Sequence, residues 1–330
     1  MHAITYDRFG PARDVLSLAE LPDTPPGPGE VTVTLDYSGV NPSDVKARAG
    51  TRPGVTKPAF DRIVPHSDGA GTITALGSGV DPQRLGRPVW IWNGQWQRPF
   101  GTAASHITLP SEQAVDLPDG IDPKVGACLG IPGLTAVQAV FGSGDVAGQR
   151  LLIQGGAGTV GLWAVQLAAW GGAEVIATAS PRDAEIVQAA GAAHVLPYDT
   201  PDLPAAVLEA TGGALMDRIL EVEFGLNIAA DAALIKPNGT IAAYGSARAM
   251  QAPLDFGPLL FKAATIDILL IYLLPPPERA AAIARLNTAH AAGALDIPIA
   301  QIFPLADTAQ AHEAVEAGTR SGAILVDPRA

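Results

Sequence analysis

The chain has 330 residues, of which 48% are hydrophobic and 16% charged, and its formal net charge is −12. This length allows two domains with buried cores, and the composition is that of a globular rather than a disordered protein. Because binding to nucleic-acid phosphates depends on clustered lysine and arginine, the acidic balance argues against nucleic acid as a main partner. The single cysteine, Cys128, excludes internal disulfides and any zinc site built from several thiolates.

The amino-terminal sequence has no signal-peptide core. The longest apolar run in the last quarter of the chain, residues 268–274, is too short to cross a bilayer. We therefore expect a cytoplasmic protein that binds a small molecule and interacts with neither a membrane nor nucleic acid.

The first third of the chain is predicted to be rich in strands and turns. Residues 30–35 alternate between apolar and polar, which indicates a strand, and residues 71–76 form another short apolar stretch. Proline clusters at 22–28 and 53–65 mark loops.

Aromatic residues are concentrated in 89–100. Trp90 and Trp92 alternate with apolar neighbours, which predicts a strand with aromatic side chains in a core. Trp96 and Phe100 follow an Asn-Gly turn signal and are predicted to line the mouth of a substrate cleft.

From about residue 123, helical patterns rich in alanine alternate with short apolar strands. A turn at 236–239 precedes the last strand of this series, and another strand is predicted at 323–326. Strands that alternate with helices imply an α/β fold with a parallel sheet covered on both faces. The predicted strands of the series are 150–154, 174–179, 194–196, 218–222 and 240–244.

The first of these strands runs into a glycine-rich turn, and apolar residues at helical spacing follow the turn. The order of strand, G-x-G-x-x-G turn and helix is typical of a dinucleotide-binding site. The alternative is an ordinary turn between a strand and a helix. We predict that Gly156 makes the turn, Gly158 lets the backbone approach a pyrophosphate and Gly161 lets the helix pack closely on the sheet. The helix amides and dipole would hold the phosphates. The residues predicted to bind the cofactor here are Gly156, Ala157, Gly158, Thr159, Val160 and Gly161.

The end of the next strand predicts which nucleotide binds. An NAD site usually has an acid there, which accepts a hydrogen bond from the ribose 2′-hydroxyl. Ser180 and Arg182 provide instead a hydroxyl and a guanidinium suited to a 2′-phosphate, which favours NADPH over NADH. A structural interpretation is compatible with this one, because Ser180 as N-cap, Pro181 at N1 and Asp183 at N3 would begin a helix.

Further short motifs occur in order along nearly the whole chain. They are G-V-N-P-S-D at 39–44, P-H-S-D-G-A-G at 65–71, G-T-A-A at 101–104, G-I-P-G-L-T at 130–135, G-A-A-H-V at 191–195 with Tyr198, N-G-T at 238–240 with G-S at 245–246, and G-T-R-S-G at 318–322. Together with the glycine turn, this ordered set resembles the medium-chain dehydrogenase/reductases, in the zinc-free quinone oxidoreductase (zeta-crystallin-like) branch.

The resemblance implies a two-domain architecture. Both ends of the chain, 1–124 and 273–330, would form a discontinuous GroES-like β-barrel catalytic domain. Residues 125–272 would form a Rossmann NADPH-binding domain with a doubly wound parallel sheet. The resemblance also implies a homodimer joined through an apolar edge strand at 265–272, which is a sensible use of such a strand.

The resemblance also bears on zinc. In zinc-dependent members of the superfamily, two cysteines and a histidine hold the catalytic metal. Asn41 and Ile131 align with the two cysteines, so that only His66 remains. One imidazole without thiolates does not hold Zn²⁺ in a tetrahedral site, and we therefore predict no metal and a hydrogen-bonded structural role for His66.

Without a metal, the hydride acceptor must be an activated compound such as a quinone or a conjugated enone. The resemblance places Asn41 and Thr135 near the nicotinamide and its ribose, although Asn41 with the following proline is equally well a simple turn. It also assigns Tyr198, Gly245 and Ser246 to the cofactor site. Several quinone reductases have a tyrosine where this chain has Lys46. That lysine could donate a proton or bind an anionic substrate group, or it could be a solvated surface residue.

We therefore expect an NADPH-dependent reductase of quinones or related activated carbonyls, with Asn41 and Lys46 as its candidate catalytic residues. One alternative is an enoyl or enone reductase, which shares the cofactor site and differs in its pocket and proton donor. Another is an NADPH-binding protein with little turnover and a structural or sensing role.

Overall fold

The computed structural model describes residues 1–52 and 54–330. Pro53, in the proline cluster predicted to form a loop, lies outside the described residues. The strands are β1 (His2–Thr5), β2 (Ser17–Glu20), β3 (Glu30–Val40), β4 (Asp68–Leu76), β5 (Pro88–Ile91), β6 (His106–Pro110), β7 (Ala114–Asp116), β8 (Arg150–Ile153), β9 (Glu174–Ala179), β10 (His194–Pro197), β11 (Met216–Glu221), β12 (Ile235–Ala243), β13 (Thr265–Ile268), β14 (Ile299–Pro304) and β15 (Ala323–Asp327).

The α-helices are α1 (Ala12–Val15), α2 (Pro42–Ala49), α3 (Pro123–Gly126), α4 (Leu134–Phe141), α5 (Thr159–Trp170), α6 (Ala184–Ala189), α7 (Leu203–Ala210), α8 (Phe224–Leu234), α9 (Phe256–Phe261), α10 (Pro276–Ala291) and α11 (Thr308–Ala317). Short 3₁₀ segments are Pro82–Arg84, Ser111–Gln113, Pro181–Asp183, Ile271–Leu273 and Leu305–Asp307, and Leu129–Gly133 is a π-helical turn. In the part of the chain that the structure describes, no helix is both long and apolar enough for a membrane span.

The chain divides into two compact units. The first consists of Met1–Ile131 and Ile297–Ala330, and the second of Pro132–Asp296. The second boundary therefore follows Asp296, whereas a boundary after residue 272 was expected from the sequence. Helix α10 belongs to the second unit because Arg285 on this helix stacks on the ring of Phe141, 4.2 Å from its centroid, and pairs with Asp145 at 2.9 Å.

The first unit is built on a sheet with the order β14-β15-β3-β4-β5-β7, in which β6 also pairs with β3. The alternation predicted for 30–35 is observed, since Val31, Val33 and Leu35 are fully buried in the core of this sheet. Strand β3 extends beyond that stretch to Val40, because its second half pairs with both β4 and β15.

The aromatic stretch of the first unit is only partly as predicted. Trp90 lies on β5 and is fully buried. Trp92 lies after the end of β5 and is half-buried, and its indole nitrogen donates to the Glu112 carbonyl at 3.2 Å. Its assignment to the strand was therefore wrong. Phe100 lines a cavity of about 190 Å³ within this unit, and Trp96 is half-buried.

The second unit contains a six-stranded sheet with the order β10-β9-β8-β11-β12-β13. All its neighbouring strands are parallel. This is the doubly wound order in which the direction of winding reverses between the first and the fourth strand, here β8 and β11. In such sheets ligands bind in the crevice at the carboxyl ends of these two strands.

The later strands of this sheet differ in detail from the prediction. Strand β12 begins at Ile235, so the turn predicted for 236–239 lies within it. The extra residues form an irregularity against β11, because Met216 pairs with Ile235 but Arg218 already pairs with Thr240. Strand β13 ends at Ile268 and is therefore shorter than the predicted strand at 265–272.

Candidate functional site

The glycine turn joins β8 to α5 at the carboxyl edge of the sheet. Its left-handed residue is Gly155, with φ of 71°, rather than Gly156, which was predicted to make the turn. A Cβ on Gly156 would lie 3.0 Å from Ala177 Cβ and 3.2 Å from Val187 Cγ1. Gly156 is therefore needed for close packing, and the turn depends on Gly155, the residue that can adopt a positive φ without strain.

The other two glycines differ in their surroundings. A Cβ on Gly161 would lie 2.1 Å from the carbonyl oxygen of Gly155, so the helix packs directly on the turn, whereas close packing on the sheet was predicted. A Cβ on Gly158 would meet only that same oxygen, at 3.4 Å. Gly158 is the N-cap of α5 and offers no side chain to the first helix amides. These amides and the open space beside Gly158 suit an anionic group.

Ser180 and Arg182 lie where β9 ends. Ser180 has the extended backbone of an N-cap, but its hydroxyl donates to Asp183 Oδ2 at 2.6 Å and makes no side-chain cap to a backbone amide. Arg182 donates to both oxygens of the same carboxylate at 3.2 Å. Tyr198 is 60% exposed, and its amide donates to the Ala179 carbonyl at 3.2 Å. The structure thus brings Ser180, Arg182 and Tyr198 to one edge of the sheet, and adds Asp183.

Gly245 and Ser246 lie in the loop after β12. The Ser246 hydroxyl accepts from the Gly225 amide at 2.8 Å and donates to the Ala249 carbonyl at 2.5 Å. The Glu223 carboxylate accepts from the amides of residues 247 and 248 at 3.1 and 3.0 Å. The loop 245–249 is therefore held against the start of α8, and Glu223 was not found from the sequence.

In the first unit, Asn41 is the N-cap of α2 and forms a capping box with Asp44. Its side-chain amide donates to Asp68 Oδ2 at 2.8 Å, and the Ile131 amide donates to the same carboxyl group at 2.9 and 3.0 Å. Asn41 and Ile131, the residues that align with zinc-binding cysteines, are thus joined through one carboxyl group. Asp68 was not found from the sequence, because its partners are 27 and 63 residues away along the chain.

Both carboxyl groups of this cluster are buried. Burial raises the pKa of Asp44 to about 7. The hydrogen bond that Asp44 accepts from the Asn41 backbone amide and the charge of the nearby Arg52 both act to lower this pKa. Burial likewise raises the pKa of Asp68 well above its usual range. The cluster is therefore held by hydrogen bonds in a site that disfavours additional negative charge.

His66 is hydrogen-bonded on both ring nitrogens, as predicted. Nδ1 lies 2.8 Å from the Ser38 hydroxyl and Nε2 lies 2.9 Å from Nε2 of His312. Burial lowers the pKa of His66 to about 3, which keeps the ring neutral. Across residues 1–52 and 54–330, no group of three or more histidine, cysteine or acidic side chains could hold a metal ion.

The remaining predicted site residues are Lys46 and Thr135. The Lys46 side chain is exposed on α2 and, within the described chain, forms neither a hydrogen bond nor an ion pair. Thr135 is 6% exposed on α4 and lines a cavity of about 240 Å³ in the second unit, together with Gln138, Leu269 and Ile271.

The chain is similar to known proteins in sequence and fold. A family model described as alcohol dehydrogenase GroES-like domain matches residues 27–119, and one described as zinc-binding dehydrogenase matches residues 159–288. Quinone oxidoreductase of Rattus norvegicus is 31% identical over 251 residues, which cover 74% of this chain and 73% of that protein. The chain belongs to the quinone oxidoreductase family of the medium-chain dehydrogenase/reductases.

Other relatives extend the likeness over the chain. Quinone oxidoreductase of Pseudomonas aeruginosa is 28% identical over 320 residues, 96% of each chain. The human synaptic vesicle membrane protein VAT-1 homolog is 30% identical over 251 residues, and the match spans only 60% of that longer protein.

Solved structures confirm the fold. A mycobacterial protein in complex with NADPH superposes with a TM-score of 0.87 at 27% identity, covering 99% of this chain and 100% of that one. A quinone oxidoreductase of Pseudomonas syringae pv. tomato gives a TM-score of 0.87 at 25% identity, covering 99% of each. The GroES-like domain and the Rossmann-type parallel sheet that the resemblance implied are therefore both present.

The contact between α5 and the glycine turn generates a prediction about stability. Gly161→Ala should lower the free energy of unfolding by about 2 kcal/mol or more, because its Cβ would overlap the Gly155 carbonyl. Gly158→Ala is the matched control and should stay within about 1 kcal/mol of the parent. Urea unfolding of the three proteins measures the difference, and equal midpoints for the two variants would contradict the packing role of Gly161.

Proposed function

We propose that the chain is an NADPH-dependent oxidoreductase that reduces a quinone or a similar activated carbonyl compound without zinc. The observation that carries this proposal is the glycine turn at the carboxyl end of β8, beside the point where the strand order reverses. Dinucleotides bind at this point in doubly wound sheets. Relatives named quinone oxidoreductase and a structural neighbour solved with NADPH support the same function.

The residues of the second unit fit the cofactor. The uncapped amides at the start of α5 and the open side of Gly158 would hold the pyrophosphate. Ser180 and Arg182 would bind the 2′-phosphate, and Arg182 is 60% exposed, so that its ion pair with Asp183 can rearrange at little cost. Bound NADPH supplies a hydride from C4 of its nicotinamide. Contacts of Asn41, Thr135, Tyr198, Gly245 and Ser246 with the cofactor stay predictions.

The absence of zinc from the proposed mechanism rests on the chemistry of the donor set. Asn41 and Ile131 offer no thiolate, and Asp68 joins them by hydrogen bonds. The imidazole of His66 is already bonded to Ser38 and His312. Among the described residues, these side chains do not bring together the three or more nitrogen, sulfur or carboxylate ligands that a zinc site requires.

The choice between quinones and enones depends on a proton donor. A quinone spreads the transferred charge onto its second carbonyl oxygen, whereas an enone then needs a proton at its α-carbon, so that a positioned acid matters more. On α2, the carboxyl group of Asp44 is buried and accepts from the Asn41 amide. Lys46 is exposed on the same helix, and reduction of an enone with a proton from Lys46 is therefore the second candidate function.

We also propose that two copies of the chain associate through β13, the edge strand of the parallel sheet. Large apolar side chains are exposed at this edge and beside it, with Ile268 77%, Phe261 89% and Leu270 51% accessible. Pairing between two such strands would remove unpaired backbone groups and apolar surface from water. The cytoplasmic location stays a prediction.

Cofactor choice can be tested by binding. NADPH should bind at least about tenfold more tightly than NADH, which corresponds to about 1.4 kcal/mol. Arg182→Ala should reduce this preference and leave NADH affinity little changed. Arg150→Ala, which removes an arginine at the opposite end of the sheet, should keep the preference. Equal affinities of the parent protein for the two cofactors would overturn the assignment.

The reaction can be tested by following NADPH oxidation with quinones, enones and enoyl thioesters, with and without a chelator. We expect the protein to reduce quinones at the same rate with and without the chelator. Lys46→Met should change the rate of quinone reduction by only a few-fold. Reduction of an enone through Lys46 should instead fall by about a hundredfold or more in that variant. Activity that is lost on chelation and restored by zinc would refute metal independence. Binding of NADPH without turnover of any substrate would identify a binding protein.

The dimer can be tested by sedimentation. Ile268→Lys places a charge on the exposed edge of β13 and should convert a dimer into a monomer, since an unpaired charge opposes strand pairing. Ile302→Lys, on the edge strand β14 of the first unit, is the control and should leave the mass unchanged. A parent protein that sediments as a monomer would contradict the proposal.

A further inference from the structure

Two carboxyl groups, of Glu221 and Asp231, lie together in the second unit with no exposed surface. Glu221 is the last residue of β11 and Asp231 lies on α8, and the two carboxyl groups are near enough that each shifts the pKa of the other. Ionised carboxyl groups are acceptors only, so a hydrogen bond between two of them requires a proton. In the described chain, no lysine, arginine or histidine side chain donates to either group.

The surrounding donors indicate which group carries the proton. Glu221 accepts hydrogen bonds from the Glu223 amide and from the Asn227 side chain, whose nitrogen lies 3.1 and 3.2 Å from its two oxygens. These donors favour the ionised form of Glu221. Asp231 Oδ1 has only a 3.5 Å contact with the Gln154 side chain, and its buried Oδ2 receives no hydrogen bond. These surroundings favour the proton on Oδ2 of Asp231, from which it can be shared with Glu221.

Charge and burial agree with this assignment. Burial and the neighbouring charge of Glu221 raise the pKa of Asp231 well above its usual range. Burial also raises the pKa of Glu221, although its amide donors act in the opposite direction. The other ionisable groups nearby are Glu223, whose carboxylate holds the loop 245–249, and Tyr244, whose pKa is raised by burial and by Glu221. No cation in the described network compensates for a second negative charge.

The pair connects the two loops beside the crevice. On one side, the contact between Asp231 and Gln154 continues to Thr178, whose hydroxyl donates to Gln154 Oε1 and accepts from the Gly155 amide, both at 2.9 Å. On the other side, the Glu221 carboxyl group accepts from the Glu223 amide, and the Glu223 carboxylate accepts from the amides of residues 247 and 248 in the loop 245–249. Glu221 and Gln154 directly flank the point where the strand order reverses.

We propose that Glu221 and Asp231 are a proton-sharing positioning pair, and that binding of the anionic dinucleotide depends on the proton they share. The ligand rests on the proposed function. Loss of the proton would leave two buried carboxylates in contact and add a negative charge beside the crevice that receives the phosphates. Repulsion would separate α8 from β11 and displace the two loops, so that the dinucleotide binds less tightly as the pH rises.

The first test measures the dissociation constant of NADPH by fluorescence between about pH 7 and pH 10. In the parent protein the constant should rise by up to about tenfold per pH unit once the pair loses its proton. Asp231→Asn keeps a neutral donor to Glu221 and should bind NADPH with a constant that does not change over this range. Glu209→Gln removes a charge from the exposed face of α7 and should keep the pH dependence of the parent.

The second test needs no ligand. The infrared spectrum of the parent protein at neutral pH should contain protonated carboxyl absorption, to which buried Asp68 also contributes. The difference spectrum against Asp231→Asn should show the loss of one component of this absorption, and the difference spectrum against Glu209→Gln should show none. Glu221→Gln should lower the urea midpoint more than Asp231→Asn, because an amide would then face the donors of Glu223 and Asn227.

The outcomes separate the two proposals. An unchanged infrared band in Asp231→Asn would overturn proton sharing, and the same pH dependence in Asp231→Asn as in the parent would overturn the link to binding. A parent protein that binds no NADPH at any pH would overturn the proposed cofactor and the link with it. In that case the infrared and unfolding results still decide whether the pair shares a proton.

Discussion

The site of the second unit depends on the close approach of α5 to the turn before it. This approach requires that residue 161 has no side chain, because a Cβ would lie 2.1 Å from the Gly155 carbonyl oxygen. The same contact aims the first amides of α5 at the crevice between β8 and β11, where the dinucleotide would bind. The reversal of strand order, the dipole of α5 and the open space beside Gly158 therefore occur at the same position of the sheet. A phosphate could bind at this position without a cationic side chain.

Both units use buried carboxyl groups to hold residues around their candidate sites. Asp68 joins Asn41 to the amide of Ile131, and the Glu221 carboxyl group accepts from the Glu223 amide beside the loop 245–249. A buried carboxyl group without a cation is favourable only when donors or a proton neutralise it. Such groups therefore hold the surrounding residues in place, but the arrangement that they hold becomes sensitive to pH. A zinc ion would fix the geometry of the first unit differently, by charge and by thiolate ligands that this chain lacks.

Local sequence patterns predicted most of the strands and helices. The residues and boundaries that were not predicted depend on contacts between residues that are far apart in the sequence. The strand, turn and helix at 150–170 were found because their periodicity and glycines are contiguous. The left-handed residue was misplaced because Gly155 and Gly156 are adjacent and spacing alone does not distinguish their φ angles. Asp68 was not found, since its partners are 27 and 63 positions away along the chain, and Asp231 contacts Gln154, 77 positions away. The domain boundary after Asp296 differs from the one that the resemblance implied, since Arg285 on α10 contacts Phe141 of the second unit.

The loop after β9 shows why selectivity for NADPH should be moderate rather than absolute. Ser180 and Arg182 both bind Asp183, so a 2′-phosphate competes with an internal carboxylate for the same donors. Arg182 is 60% exposed and the Asp183 side chain only 11%, so an incoming phosphate meets the guanidinium first. A guanidinium–phosphate pair is stronger than an exposed ion pair, but the phosphate also approaches the charge of Asp183. The 2′-hydroxyl of NADH would avoid the repulsion from Asp183 but would lack the attraction to Arg182. The 2′-phosphate of NADPH would gain the attraction to Arg182 and keep the repulsion from Asp183. The preference would be the difference between these two effects, so we expect Arg182 to favour NADPH without excluding NADH.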